Sequence, residues 1–228
     1  MGNPWMKLPN NAPFVLPNDA PEIHNFNQKQ IKRLTKQGKP PVPGKNNSLI
    51  DLNLLPEPFL GNPQAPVVLL NLNPGWDVRD AEWHEQPLFK QKNRDNLEHK
   101  DVPYPFYLLH PNLSQSPGGL WWQRHLGALI NQVGLKAVAT GVLVVELFPY
   151  HSGRFGFKGA VPSQQYSVSL VEQAIRRGAM IVVLRAEKQW VNAVPQLAGN
   201  YHRVKSVQSA YISSNNCPGF FQEIVSRL

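Results

Sequence analysis

The 228-residue chain holds a single cysteine, Cys217. One cysteine excludes an internal disulfide and suits a reducing compartment. No apolar run approaches the roughly 20 residues needed to cross a bilayer, so no membrane partner is expected. The stretch Met1 to Lys7 lacks the charged-then-apolar layout of a secretory signal. Export is therefore not expected, and a cytoplasmic location is. No cluster of Cys and His has zinc-finger spacing. The chain also lacks G-x-x-x-x-G-K-[ST], G-x-G-x-x-G after a strand, G-x-S-x-G and H-E-x-x-H. Nucleoside triphosphate hydrolysis, a dinucleotide cofactor, serine-hydrolase chemistry and zinc proteolysis thus lack their usual signatures. Neither a metal nor an organic cofactor is expected. There is no internal repeat and no low-complexity segment.

Acids are scarce, with 15 Asp and Glu against 23 Lys and Arg. The formal charge is +8 and the pI about 9.7. An excess of this size favours polyanions, because each neutralised phosphate releases counterions. Nucleic acid or a nucleotide is the partner such a charge favours, beside the plain reading of a basic protein with no specific polyanion, and a monomer is the expected state. Part of the excess is local: residues 29–45 carry Lys29, Lys32, Arg33, Lys36, Lys39 and Lys45 and no acid. At helical spacing Lys29, Lys32, Arg33 and Lys36 share one face. That face is either a phosphate-contacting stripe or a plain solvated surface.

Twelve of the 22 prolines lie at or before Pro66. Proline removes amide donors and breaks helices. Residues 1–61 therefore read as an irregular basic arm wrapped over the domain, with one helix near Pro21 to Gln37. Residues 62–228 read as the domain itself. There Val67 to Leu72 is a short apolar run of the kind buried on both faces of a parallel sheet. Trp122, Leu126, Leu129, Ile130 and Val133 share a helical face, and Gly134 suits the position after the helix. Val142 to Phe148 is a second strand. Ser163 can cap a helix that ends at Gly178. Met180 to Leu184 is a third strand, Tyr201 to Val207 a fourth, and a last helix spans Pro218 to Leu228. Strands alternating with helices predict a three-layer α/β/α fold with a four-stranded parallel sheet.

In such a sheet ligands lie beyond the carboxyl ends of the strands. Asn73-Pro74-Gly75 follows the first strand; proline sets the turn and glycine permits close backbone approach. Asn73 would present an amide at the strand tip. Glu146 closes the second strand and can position water, accept from a base edge, or pair with Arg185. His151 can touch a phosphate or be a plain loop histidine. Tyr104 and Phe106 lie in a Pro-rich loop where flat rings can stack on a base. After the fourth strand, Gln208, Ser209 and Ser213 offer polar groups to an anionic oxygen or an amide edge.

The run Val67-Val-Leu-Leu-Asn-Leu-Asn-Pro-Gly75 resembles the first motif of the uracil-DNA glycosylase superfamily, nearest its mismatch-specific and thymine-DNA glycosylase branch. The resemblance extends loosely over residues 62–228 and excludes 1–61. It implies that Asn73 positions the attacking water, that Pro74 and Gly75 face a flipped base, and that Tyr104 or Phe106 stacks on it. Glu146 would read the base edge, and the Gln208 to Ser213 loop would grip DNA. The chain departs from the family at two places. Asn71 stands where the branch has glycine, and Gln208-Ser209 stands where the family has His-Pro-Ser or Asn-Pro-Ser. The implied activity is hydrolysis of the N-glycosidic bond of a flipped uracil or mismatched base. Two alternatives stand beside it: a non-catalytic member that binds nucleic acid or a nucleotide, and a small-molecule hydrolase using Glu146 and His151.

Overall fold

The computed structural model describes residues 2–228. In chain order the elements are α1 (Ala20–Lys36), β1 (Phe59–Leu60), β2 (Val67–Asn71), α2 (Asp80–Glu85), α3 (Pro87–Leu97), α4 (Pro117–Val133), α5 (Leu135–Gly141), β3 (Val142–Glu146), α6 (Gln164–Arg176), β4 (Met180–Val183), α7 (Glu187–Ala193), β5 (His202–Arg203) and α8 (Phe221–Ser226). The five strands form one sheet in the order β1-β3-β2-β4-β5. β3, β2, β4 and β5 run parallel, and β1 pairs antiparallel with β3. This is an α/β fold with a mixed sheet of five strands, where four parallel strands were expected. The additional strand is two residues long and sits between Pro58 and Gly61, too short to leave a periodic trace in the sequence.

Every residue of β2, β3 and β4 is buried, as a strand covered on both faces requires. α4 starts at Pro117, capped by Ser116, whose hydroxyl accepts from the Gly119 amide at 3.0 Å. Gly178, two residues past the last residue of α6, takes a positive φ of 75° that closes the helix end. The start of α6 differs from expectation. The Ser163 hydroxyl accepts no capping bond and is buried without a partner, while the Ser163 amide donates to Asp19 Oδ1 at 3.0 Å. An acid from the N-terminal arm has replaced the local cap.

The arm is part of the same core. Trp5, Phe14, Ile23, Ile50 and Phe59 pack into the cluster that holds the sheet residues. Residues 50–60 run antiparallel beside 144–152: Ile50 bridges Ser152, Asp51 N donates to His151 O, Glu57 N to Pro149 O, and Glu146 N to Pro58 O. Among the described residues, no helix is long and apolar enough to cross a membrane.

Candidate functional site at the carboxyl edge of the sheet

The chain leaves β2 for β3 on one side and later returns to place β4 on the other. The tips of β2 and β4 therefore flank the point where the winding reverses, the place where open α/β sheets leave a crevice. Asn73 lies two residues beyond β2, and Arg185 two beyond β4.

The Asn73 side chain is half-buried. Its Nδ2 donates to Pro74 O at 2.7 Å and to Ser152 Oγ at 3.2 Å. A carbonyl oxygen can only accept, so the bond to Pro74 O settles which end of the amide is nitrogen. Oδ1 is left without a protein donor among the described residues and can accept from a water. Pro74 is buried and Gly75 exposed.

Glu146 ends β3 opposite Asn71, whose Nδ2 donates to Glu146 Oε1 at 2.9 Å. Burial pushes the Glu146 carboxyl up to about 8, with Asn71 and Arg185 pulling the other way. It is a neutral acid at pH 7. Three buried atoms here lack partners: Glu146 Oε2, Asn71 Oδ1 and Arg185 Nε. The pairing of Glu146 with Arg185 does not form; Arg185 has no carboxylate within 4.0 Å and lies 5.9 Å from the Trp121 ring centroid. Trp121 stacks on His125, and His125 on Tyr211, at 3.6 and 4.6 Å between centroids.

His151 is buried. Its Nδ1 lies 2.7 Å from Gly75 O, and its Nε2 lies 3.0 Å from Leu55 O. Both ring nitrogens thus face backbone carbonyl oxygens. His151 therefore clamps the Asn73-Pro74-Gly75 turn to the arm, and its ring does not reach the surface. Beside it, Leu55 N donates to His84 Nδ1 at 2.9 Å, and the Tyr107 hydroxyl donates to Glu57. Burial, reinforced by His151, holds His84 well below the usual histidine range. Burial raises Glu57, and the adjacent His151 pulls it partly back. Glu57, His84 and His151 bring three ligand-type atoms within 4.8 Å. They do not fit a metal as arranged. His84 spends its lone pair on the Leu55 amide, and both His151 nitrogens face carbonyls.

The remaining sequence-derived candidates scatter. Phe106 is fully buried against Trp122, and its amide bonds to Ala139 O, three residues before β3 begins. That is the amino end of the sheet, away from Asn73. Tyr104 is half-buried under Lys136 Nζ, 4.2 Å from the ring centroid. Neither ring joins the crevice. Tyr107, one residue on, turns its hydroxyl to Glu57. Gln208 and Ser209 are exposed in the loop after β5. Ser209 and Ser213, with Arg124 and Lys205, line a pocket of about 580 Å³ between α4 and that loop. Lys29, Lys32, Arg33 and Lys36 are exposed along α1.

Sequence reasoning missed Arg185 as an unpaired cation, Trp121 as the half-exposed ring near it, and the buried Glu57–His84–His151 group. The Trp121-Trp122 pair carried a signal: with Trp122 committed to the core, its neighbour on a helix must face elsewhere. No comparison adds a relative, since no family model, no curated protein and no solved structure matches this chain.

Proposed function

We propose that the chain is a uracil-DNA glycosylase-like protein that binds DNA, takes a flipped nucleotide into the crevice beyond β2 and hydrolyses its N-glycosidic bond. The observation that carries this reading is Asn73: its amide emerges from the tip of an interior parallel strand with Nδ2 tied down and Oδ1 open. A carbonyl oxygen fixed in this way can hold a water against the anomeric carbon. The C–N bond breaks as the water oxygen bonds to that carbon; the base leaves with the electron pair and takes up the proton that the water releases. Asn73 lacks a carboxylate's basicity, so the contribution is positioning. Glu146, neutral near pH 7, stands on the adjacent strand as a hydrogen-bond donor. Arg185 supplies unpaired positive charge at the next strand tip.

The test uses duplexes carrying uracil, hypoxanthine or thymine mismatches, scored for alkali-labile abasic sites. Wild-type protein is expected to cleave at least one, and Asn73→Ala to lose about 100-fold in rate. Absence of cleavage on every substrate rejects the hydrolase reading. A second reading, a non-catalytic protein that binds nucleic acid, is favoured by a specific observation. The carboxyl at the end of the adjacent strand, Glu146, is held neutral by burial and so offers no base to a water. Salt-sensitive binding without cleavage is its signature.

A further inference from the structure

Two segments that meet in the fold carry exposed cations and no acid. Residues 23–50 hold six Lys and Arg and no acid. Residues 147–171 hold Arg154 and Lys158 and no acid. Those eight cations equal the whole formal excess of +8, which leaves 15 Lys and Arg against 15 Asp and Glu in the rest of the chain. All eight are exposed, and none has a carboxylate within 4.0 Å among the described residues.

The two segments lie against each other. Arg154 N donates to Asn47 O at 2.9 Å, Ile50 bridges Ser152, and Phe26 packs edge-on to Phe157 at 5.3 Å. A Cβ on Gly153 would stand 2.2 Å from Gly44 O, so only glycine permits this approach. Between the segments runs a cleft of about 780 Å³, with Arg33 and Lys39 on one wall and Arg154 on the other. Its other polar lining is uncharged: Gln30, Gln37, Asn46, Asn47 and Ser48. Ser152, two residues before Arg154, accepts from Asn73.

We propose that this cleft seats one phosphodiester strand of a polynucleotide and leads it toward Asn73. Cations on facing walls enclose a linear polyanion from both sides, whereas a flat anionic membrane would meet one wall only. Amide side chains supply donors to phosphate and sugar oxygens. The seat is built largely by residues 1–61, outside the span of the glycosylase resemblance. It rests on the nucleic-acid half of the proposed function and is independent of whether Asn73 cleaves.

The experiment measures binding of a fluorescein-labelled 20-mer, single-stranded and as a duplex, by anisotropy from 50 to 300 mM NaCl. The cleft variant is Arg33→Gln/Lys39→Gln/Arg154→Gln. The control variant, Lys7→Gln/Arg176→Gln/Lys188→Gln, removes equal charge from exposed positions elsewhere. Three lost contacts to a single strand are expected to reduce the magnitude of the log–log salt slope by about 2 and the affinity at 100 mM by about 100-fold. The control is expected to lose under about 3-fold, with both variants melting as wild type does. Equal losses in the two variants overturn the proposal, as does failure of wild type to bind either oligonucleotide at 50 mM. Cleft-dependent binding to phosphatidylserine vesicles in place of oligonucleotide overturns it as well. If wild type binds through the cleft but cleaves nothing, the seat stands and the hydrolase reading falls. If it cleaves and the cleft variant keeps its KM, the reverse holds.

Discussion

Glu146 shows how one buried side chain ties the site to stability. Its carboxyl lies at about 8 in the folded chain against about 4.5 for an ordinary glutamate. Between these values the folded state holds a proton that the unfolded state has released. Stability is thus full below about pH 4.5 and declines as pH rises toward 8. Glu146→Gln keeps the hydrogen-bonding shape and removes the titration. The stability of this variant relative to wild type is expected to rise by a few kcal/mol between pH 5 and 8, read from denaturant midpoints. A constant difference over that interval rules the assignment out. His99, lowered to about 4 by burial, acts on the other side: its contribution is lost as pH falls from 6.5 toward 4. Taking the difference between the two proteins removes that background. The identity of Glu146 as a strand-end carboxylate was readable from its place after a β-branched run. Its neutrality was not, because desolvation depends on Asn71, the arm and the covering helices together.

At the scale of elements, the arm is locked to the domain by Asp19. It is fully buried, its Oδ1 accepts from the Ser163 amide at the head of α6, and its Oδ2 accepts from the Tyr150 hydroxyl at 2.7 Å. Tyr150 in turn accepts from the Leu16 amide at 3.2 Å. Asp19→Ala leaves two buried donors without an acceptor and is expected to cost about 2–4 kcal/mol in denaturant unfolding. Glu22→Ala, an exposed change in the first turn of α1, is expected to stay within about 0.5 kcal/mol. Equal effects of the two would show that the Asp19 bonds contribute little. Helices α1, α4 and α6 and the interior strands were legible because each repeats its apolar pattern over enough residues to be distinctive. β1, α2, α3, α5 and α7 were not. They are two to eleven residues long, and contacts distant in sequence decide them.

For the whole molecule, residues 1–61 supply a sheet edge, core side chains and the carbonyl that holds one face of His151. A chain of residues 62–228 alone exposes Val144 and Val145 on the sheet edge, with the apolar surface under Trp5 and Ile23. It is expected to lack a cooperative thermal transition and near-ultraviolet circular dichroism. A sharp transition near that of the full chain would mean that the arm is an accessory.

Asn73 was identifiable because its context is local: a buried run followed at once by Asn-Pro-Gly. The rings of Tyr104 and Phe106 were assigned by composition, and composition does not say which of three neighbouring aromatics turns inward. The amino-acid sequence by itself determined the α/β class, the interior strands, the position of Asn73 at a strand end and the size of the charge excess, because each follows from local pattern or simple counting. Only the tertiary structure decided that Glu146 is neutral, that His151 is a clamp, and that Arg33, Lys39 and Arg154 line one cleft. Burial and charge clustering arise when segments a hundred residues apart meet, and no local pattern encodes that meeting.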